Sequence, residues 1–244
     1  MALYRPIADH AVLVEFGTAI SDAAHAQVLA LDQALTANPF AGFREATPAF
    51  VNLLVDFNPI ITDHAEVEAH LRRLADQPLT PRTPVTWQVP VCYENAPDLD
   101  EVARRTGLST DAVIAAHLAG DYRVFLYGFA PGYAYMGGLP EAIKLDRKTT
   151  PVRGVPAGQI IIAGTMCLIT TLVMPTGWWI IGRTPTRVLT GDEARFVIGQ
   201  RRAAEEVLQL GRHGRSQRHG SDLLERRSLV FGGVGALATL RRGT

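Results

Sequence analysis

Three prolines fall within Gln77-Pro-Leu-Thr-Pro-Arg-Thr-Pro84 and divide the chain into two stretches of different texture. Proline fixes φ and removes a hydrogen-bond donor, so this stretch reads as an extended connection between two separately built cores. The expected organisation is an N-terminal domain over 1–77, a linker over 78–84 and a second domain over 85–210. A total of 244 residues is ample for that division.

The first stretch alternates strand and helix patterns. Ala11–Phe16 is β-prone and closes on Gly17. Ser21-Asp22 then caps a helix whose Val28, Leu31 and Leu35 recur at helical spacing, until Asn38-Pro39 ends it. Phe50–Phe57 reads as a strand. Thr62-Asp63 opens a second helix, with Glu66 at the capping-box position and Val67, Leu71 and Leu74 on one face. The pattern predicts a small α+β unit.

The second stretch resumes with a strand at Val85–Val91 and two short helices at 98–106 and 110–119, the latter capped by Ser109 or Thr110. Beyond Tyr122 short apolar runs alternate with Gly and Pro. These runs, at Arg123–Phe129, Gln159–Ala163, Cys167–Val173, Trp178–Ile181 and Arg195–Ile198, argue for a barrel or sandwich. No internal repeat is evident. Residues 211–244 begin with a basic, glycine-rich run that predicts a mobile tail.

Composition narrows the function classes. Hydrophobic residues make up 47% and charged residues 20%, an ordinary globular balance. Lys plus Arg equals Asp plus Glu at 24 each, so no net field steers the chain to nucleic acid or an anionic membrane. The basic run near 211–220 has no interleaved aromatics and is weak evidence for RNA. No apolar run approaches the length of a membrane span, and the start lacks the pattern of a secretory signal. Cys92 and Cys167 are too few to staple a chain of this size, so a reduced, cytoplasmic protein is expected.

Familiar catalytic signatures are absent from the sequence: it has no Gly-x-x-x-x-Gly-Lys-Ser/Thr phosphate loop, no Gly-x-Ser-x-Gly elbow and no His-Glu-x-x-His pair. Neither cysteine has a histidine at metal-ligand spacing, and no metal is expected. Asp98, Asp100 and Glu101 read better as a helix N-terminus favoured by the macrodipole than as a catalytic cluster.

One segment stands out. Tyr127–Pro140 holds four glycines and three tyrosines in fourteen residues. Glycine permits close backbone approach, and tyrosine combines an apolar face with a polar tip, so the segment suits a pocket loop. It reads equally as a glycine-rich barrel corner. Arg147, Lys148, Arg153 and Arg183 sit among Pro and Gly turns, where arginine and backbone amides suit a carboxylate or phosphate, although a lone surface arginine is more often merely solvated. His117 reads either as a group titrating near neutral pH or as a histidine placed by the helix dipole.

Taken in order, these motifs resemble one family. The matching residues are His117, Tyr122, Gly128-Phe-Ala-Pro-Gly132, Tyr135-Met-Gly-Gly-Leu139, Arg147, Pro151, Arg153, Val155-Pro-Ala-Gly158, Ile162-Ala-Gly164 and Trp178 followed by Ile181-Gly-Arg-Thr-Pro185. They resemble the family variously called the 5-oxoprolinase B-type subunit, allophanate hydrolase subunit 1 and kinase A inhibitor, which within urea carboxylase forms carboxyltransferase subdomains C and D. The resemblance covers about residues 4–200. It implies an α+β fold, with a small α+β N-terminal domain followed by a cyclophilin-like β-barrel.

The resemblance also implies a role. The chain would be the B-type subunit of an ATP-dependent 5-oxoprolinase-like amidohydrolase, inactive alone. It would act with a companion carboxyltransferase-like subunit of the C type and a lactam-utilisation-type subunit on a small amide or lactam, with ATP bound at the level of the complex. His117 would shuttle a proton, and Arg153 and Arg183 would steady the anionic substrate or intermediate. Substrate binding would fall to Tyr122, Gly128, Phe129, Pro131, Gly132, Tyr133, Tyr135, Gly137, Gly138, Arg147, Pro156, Gly158, Trp178 and Thr184.

Two rival roles share the fold: the carboxyltransferase half of a biotin-dependent urea or amide carboxylase, and a non-enzymatic inhibitor of a histidine kinase. The chain departs from the family at Met166–Thr171, where a polar, glycine-containing segment has become apolar. Thr176 replaces a glycine, Tyr133 stands at a common phenylalanine, and Val188–Asp192 replaces a longer loop. Leu229–Leu240 reads either as the opening of a companion subunit or as an unrelated apolar tail.

Overall fold

The computed structural model describes residues 2–77, 85–191 and 193–196, together with the backbone of 201–206. The expected linker 78–84, the expected tail 211–244 and the Leu229–Leu240 segment lie outside the described residues.

The N-terminal layer runs β1 (Leu3–Ile7), β2 (Ala11–Glu15), α1 (Asp22–Ala37), β3 (Phe43–Ala49), β4 (Asn52–Phe57) and α2 (His64–Ala75). Its antiparallel sheet has the order β1-β2-β4-β3. On β4 the residues Leu53, Val55 and Phe57 alternate inward and meet Val28, Leu31 and Leu35 of α1 and Val67, Leu71 and Leu74 of α2. Each such fully buried aliphatic or aromatic side chain contributes about 1.5–3 kcal/mol of apolar burial. Both helices start where local chemistry satisfies their free amides. Ser21 Oγ accepts from the Ala24 amide at 3.2 Å, and Asp63 Oδ1 accepts from the Glu66 amide at 2.9 Å. Glu66 is held by the Thr62 hydroxyl, which donates to Oε2 at 2.8 Å.

The second layer continues with β5 (Thr86–Val91), α3 (Leu99–Thr106), α4 (Thr110–Ala119), β6 (Tyr122–Tyr127), β7 (Ala134–Gly137), a 3-10 turn (Glu141–Ile143), β8 (Val152–Val155), β9 (Gln159–Ala163) and β10 (Met166–Ile169). β11 (Met174–Thr176), β12 (Trp179–Arg183), β13 (Leu189–Thr190), β14 (Glu193–Ala194) and β15 (Arg201–Glu206) follow. Seven of these strands form one curled sheet in the order β12-β9-β10-β7-β6-β15-β5, antiparallel except for the β15–β5 pair. Its edges meet at one point, where Cys92 and Arg183 exchange both backbone hydrogen bonds at 2.7 and 2.9 Å. The cap of α4 is Ser109, whose Oγ accepts from the Ala112 amide.

The sheet is apolar on both faces because both are covered. Ile160, Ile162, Cys167, Ile169 and Ile181 face a core shared with α3 and α4. Ile161, Ala163, Leu168 and Ile180 face a smaller cluster with Tyr133, Val155 and Trp178. That double coverage explains the uninterrupted run Ile160–Ala163, which alternation alone would not produce.

Some expectations need correction. Arg195 and Phe196 are not in a strand; the local pairing is the two-residue ribbon β13–β14 just before them, and 197–198 lie outside the described residues. The run Cys167–Val173 leaves the sheet after Ile169, because Leu172 and Val173 turn outward and are exposed. Strands β1 and β3 escape the hydrophobic pattern since both are edge strands, carrying Pro6 and Pro48.

Candidate functional site

On the smaller cluster's side of the curled sheet lies an open cavity of about 580 Å³. Phe50, Leu126, Gly128, Phe129, Tyr135, Asp146, Arg147, Ala163, Gly164, Thr165, Met166 and Trp178 line it. The β6–β7 loop supplies Gly128 and Phe129, the β9–β10 turn supplies Gly164 and Thr165, and the segment before β8 supplies Asp146 and Arg147. Five of the residues expected to bind substrate therefore share one cavity: Gly128, Phe129, Tyr135, Arg147 and Trp178.

An aromatic chain supports the wall, with Phe129, Tyr135 and Trp178 in the lining and Tyr133 buried among them. Phe129, Tyr133, Tyr135 and Trp178 follow one another with ring centroids 5.6, 6.2 and 6.0 Å apart. The Arg147 guanidinium lies 5.6 Å over the Trp178 ring and makes no ion pair with any described residue. A stacked arginine keeps its donor fork free for a planar acceptor such as a carboxylate. Burial, with the neighbouring Tyr135 second, pushes the Tyr133 phenol up to about 12, so it stays protonated at neutral pH. The cavity's chemistry is thus an apolar aromatic wall with one cation, Arg147, and with Asp146 also in its lining, a binding surface more than a set of proton-transfer groups.

The loop behind this wall is held by backbone geometry. Gly137 leaves room for Phe125, whose ring carbon would lie 2.5 Å from an added Cβ. Gly138 has φ +97° and passes so close to Asp121 that a Cβ would lie 1.9 Å from its carbonyl oxygen. Pro131 accepts a hydrogen bond from the Thr171 hydroxyl at 2.8 Å, and Gly132 packs beneath Leu189.

The remaining expected site residues lie elsewhere. His117 is fully buried, with Nδ1 2.6 Å from the Tyr93 hydroxyl and Nε2 3.6 Å from Cys167 Sγ. Tyr122 is equally buried and donates to the His117 carbonyl at 2.8 Å. Arg153 is exposed on β8 and lines neither this cavity nor the second one. Arg183 ends β12, where its guanidinium reaches Cys92 Sγ at 3.8 Å. None of His117, Arg153 and Arg183 therefore lines either of the two cavities. Gly158 and Thr184 line a second cavity of about 380 Å³ with Thr170, Thr171 and Arg187, and the Thr170 hydroxyl there donates to Pro156. Asp98 gives its carboxylate to Lys148 at 2.5 Å and to the Ile180 amide at 2.6 Å, and Glu101 pairs with Arg104 and Arg105. Those bonds make Asp98 and Glu101 structural.

The comparison with known proteins adds the family to this geometry. The model of the carboxyltransferase domain, subdomain C and D, matches residues 2–197. The chain belongs to this family. Among curated members of the C and D carboxyltransferase family, it is 34% identical over 218 residues to the B-type subunit of 5-oxoprolinase from Bacillus subtilis (strain 168), covering 78% of this chain and 90% of that protein. It is 31% identical over 162 residues to the corresponding 5-oxoprolinase subunit of Haemophilus influenzae, covering 61% and 73%. Among solved structures it resembles TTHA0988, with TM-score 0.73 and 30% identity over 82% of this chain, though it spans only 40% of that longer chain. Kluyveromyces lactis urea carboxylase shares the fold alone, at TM-score 0.65 and 15% identity over 84% of this chain and 22% of that one.

Sequence reasoning missed Phe50, Leu126, Asp146, Ala163, Gly164, Thr165 and Met166 as lining residues. Met166 opens the segment that departs from the family pattern, so the apolar replacement contributes a wall of the cavity. Among the described residues no helix is long and apolar enough to cross a membrane, and no cluster of three or more metal-ligating side chains occurs.

Proposed function

We propose that this chain is the B-type subunit of a 5-oxoprolinase, a hydrolase of a cyclic amide that works as a complex. The observation that carries the reading is the likeness to the Bacillus subtilis 5-oxoprolinase subunit along most of that protein's length. The cavity supports it. A small lactam bearing a carboxylate has a compact ring whose planar amide can lie against the Tyr135 and Trp178 faces, and an anion for Arg147.

In this reading the chain binds and orients the substrate. Its companion, a carboxyltransferase-like subunit of the C type, and a lactam-utilisation-type subunit supply the rest of the active complex. ATP belongs in this reading to the complex and not to this cavity, because a single guanidinium suits one carboxylate and not a polyphosphate. His117, buried against Tyr93 and Cys167, acts in this reading by holding the core together.

The test is reconstitution. The chain is co-expressed with the two companion subunit types, and 5-oxoproline-dependent ATP hydrolysis is measured for each combination. Activity that requires this chain supports the reading. Full activity without it, or failure of the chain to co-purify with a companion, overturns it.

A further inference from the structure

Phe50 is the one lining residue contributed by the N-terminal layer, and its backbone is unusual. It has φ +49°, and Phe129, also in the lining, has φ +71°. Bulky side chains rarely adopt this left-handed region, and such conformations persist only where the surroundings over-determine them. Phe50 is over-determined in this way. Its amide donates to the Phe125 carbonyl at 3.3 Å, and its ring stacks on Phe125 at 6.0 Å with the planes 26° apart. Its carbonyl lies 2.8 Å from Nδ1 of the fully buried His25, whose ring meets Phe125 edge-on at 4.6 Å. Phe125 is itself seated against Gly137. An ion pair between Asp22 and Arg123 at 3.1 Å spans the same junction.

From this placement we infer that Phe50 is a specificity-determining residue of the cavity, setting the ring size it accepts. The inference rests on the proposed lactam-binding role. The other apolar walls, Tyr135, Trp178 and Met166, belong to the curled sheet and its loops. Phe50 arrives on the turn between β3 and β4 of the N-terminal layer, so its depth in the cavity is set by where that turn is fastened to His25 of α1 and Phe125 of β6. Trimming it enlarges one side without disturbing Arg147 and Trp178.

The experiment is calorimetric titration of the full chain with 5-oxo-L-proline and with its six-membered homologue, 6-oxopiperidine-2-carboxylate. The wild type is expected to prefer the five-membered lactam. Phe50→Ala should weaken 5-oxo-L-proline about tenfold while leaving the six-membered ring unchanged or tighter, and Phe50→Leu, which restores only part of the volume, should show a smaller shift in the same direction. Should the alanine variant fail to fold, the leucine variant carries the test, with an intermediate shift expected. Equal weakening of both ligands, or an unchanged ratio in a folded variant, overturns the role of Phe50 and leaves the lactam reading standing. Absence of binding of either lactam to the wild type overturns both.

Discussion

The Arg147 guanidinium rests 5.6 Å over the Trp178 ring, and no carboxylate among the described residues claims it. That relationship separates a binding arginine from a structural one. An ion-paired arginine spends its charge within the fold, whereas this one is held in place by an aromatic face and keeps its donors for a ligand.

Arg147→Ala is expected to weaken 5-oxoproline binding, and the activity of the reconstituted complex, about ten- to a hundredfold. A charge-assisted hydrogen bond is worth roughly 1.5–3 kcal/mol, and each 1.36 kcal/mol is about tenfold. The melting temperature should move by no more than a few degrees, because an exposed cation–π contact contributes only about 0.5–1 kcal/mol. Titration calorimetry and thermal denaturation check the two halves. A large loss of stability with unchanged affinity would show that the arginine serves the fold.

His117→Ala should do the reverse. It leaves a hole in the main core and strips the Tyr93 and Cys167 contacts, costing about 2–5 kcal/mol. In a chain of this size each kcal/mol shifts melting by roughly 2–4 °C, so a fall of about 5–20 °C is expected in differential scanning calorimetry. An unshifted melt accompanied by lost turnover would instead make this histidine a chemical participant.

Gly138→Ala is expected to prevent stable folding of the second layer. The substitution sets a Cβ 1.9 Å from the Asp121 carbonyl oxygen at φ +97°, so the backbone itself must move. Soluble yield and near-ultraviolet circular dichroism read the outcome, and a variant that melts like the wild type contradicts the geometry.

Stability should fall as the medium turns mildly acidic, through His25. Burial, the largest cause, holds its pKa below the ordinary 6.5, and Arg123 adds to the effect, against the Phe50 carbonyl and Asp22, which act the other way. Between the folded value and 6.5 the unfolded chain binds a proton that the folded chain does not, so lowering pH favours unfolding, and the loss begins as pH drops through about 6.5. Melting temperature compared between pH 7.5 and 5.5 should fall less in His25→Gln than in the wild type. Parallel curves for the two proteins would remove His25 as the cause.

Sequence and structure agree wherever the signal is local. Ser21, Asp63 and Ser109 cap helices within three residues of themselves, and Leu53, Val55 and Phe57 alternate on a strand with one buried face. The glycine–tyrosine segment reads equally as a pocket loop or a barrel corner in sequence, and the structure shows both: Gly128, Phe129 and Tyr135 line the cavity, whereas Gly137 and Gly138 solve packing problems. Arg147, Arg153 and Arg183 look alike in sequence, each beside turn residues, and only the placement of Trp178 distinguishes the first. Phe50 carries no local signal at all. Its partners are on α1 and β6, and the positive φ that marks it is a property of the folded backbone.

The strand order has a consequence for how the chain is made. β5 has a single ladder neighbour, β15, whose residues Arg201–Glu206 leave the ribosome long after Thr86–Val91. A nascent chain therefore carries β5 with its backbone edge unoccupied while the intervening strands assemble, since even the Cys92–Arg183 seam waits for residue 183. Non-local pairing of this kind is slow and leaves a strand edge open to other chains. A translation product halted before residue 201 would keep that edge, making the late strand the step that turns a sticky intermediate into a finished protein.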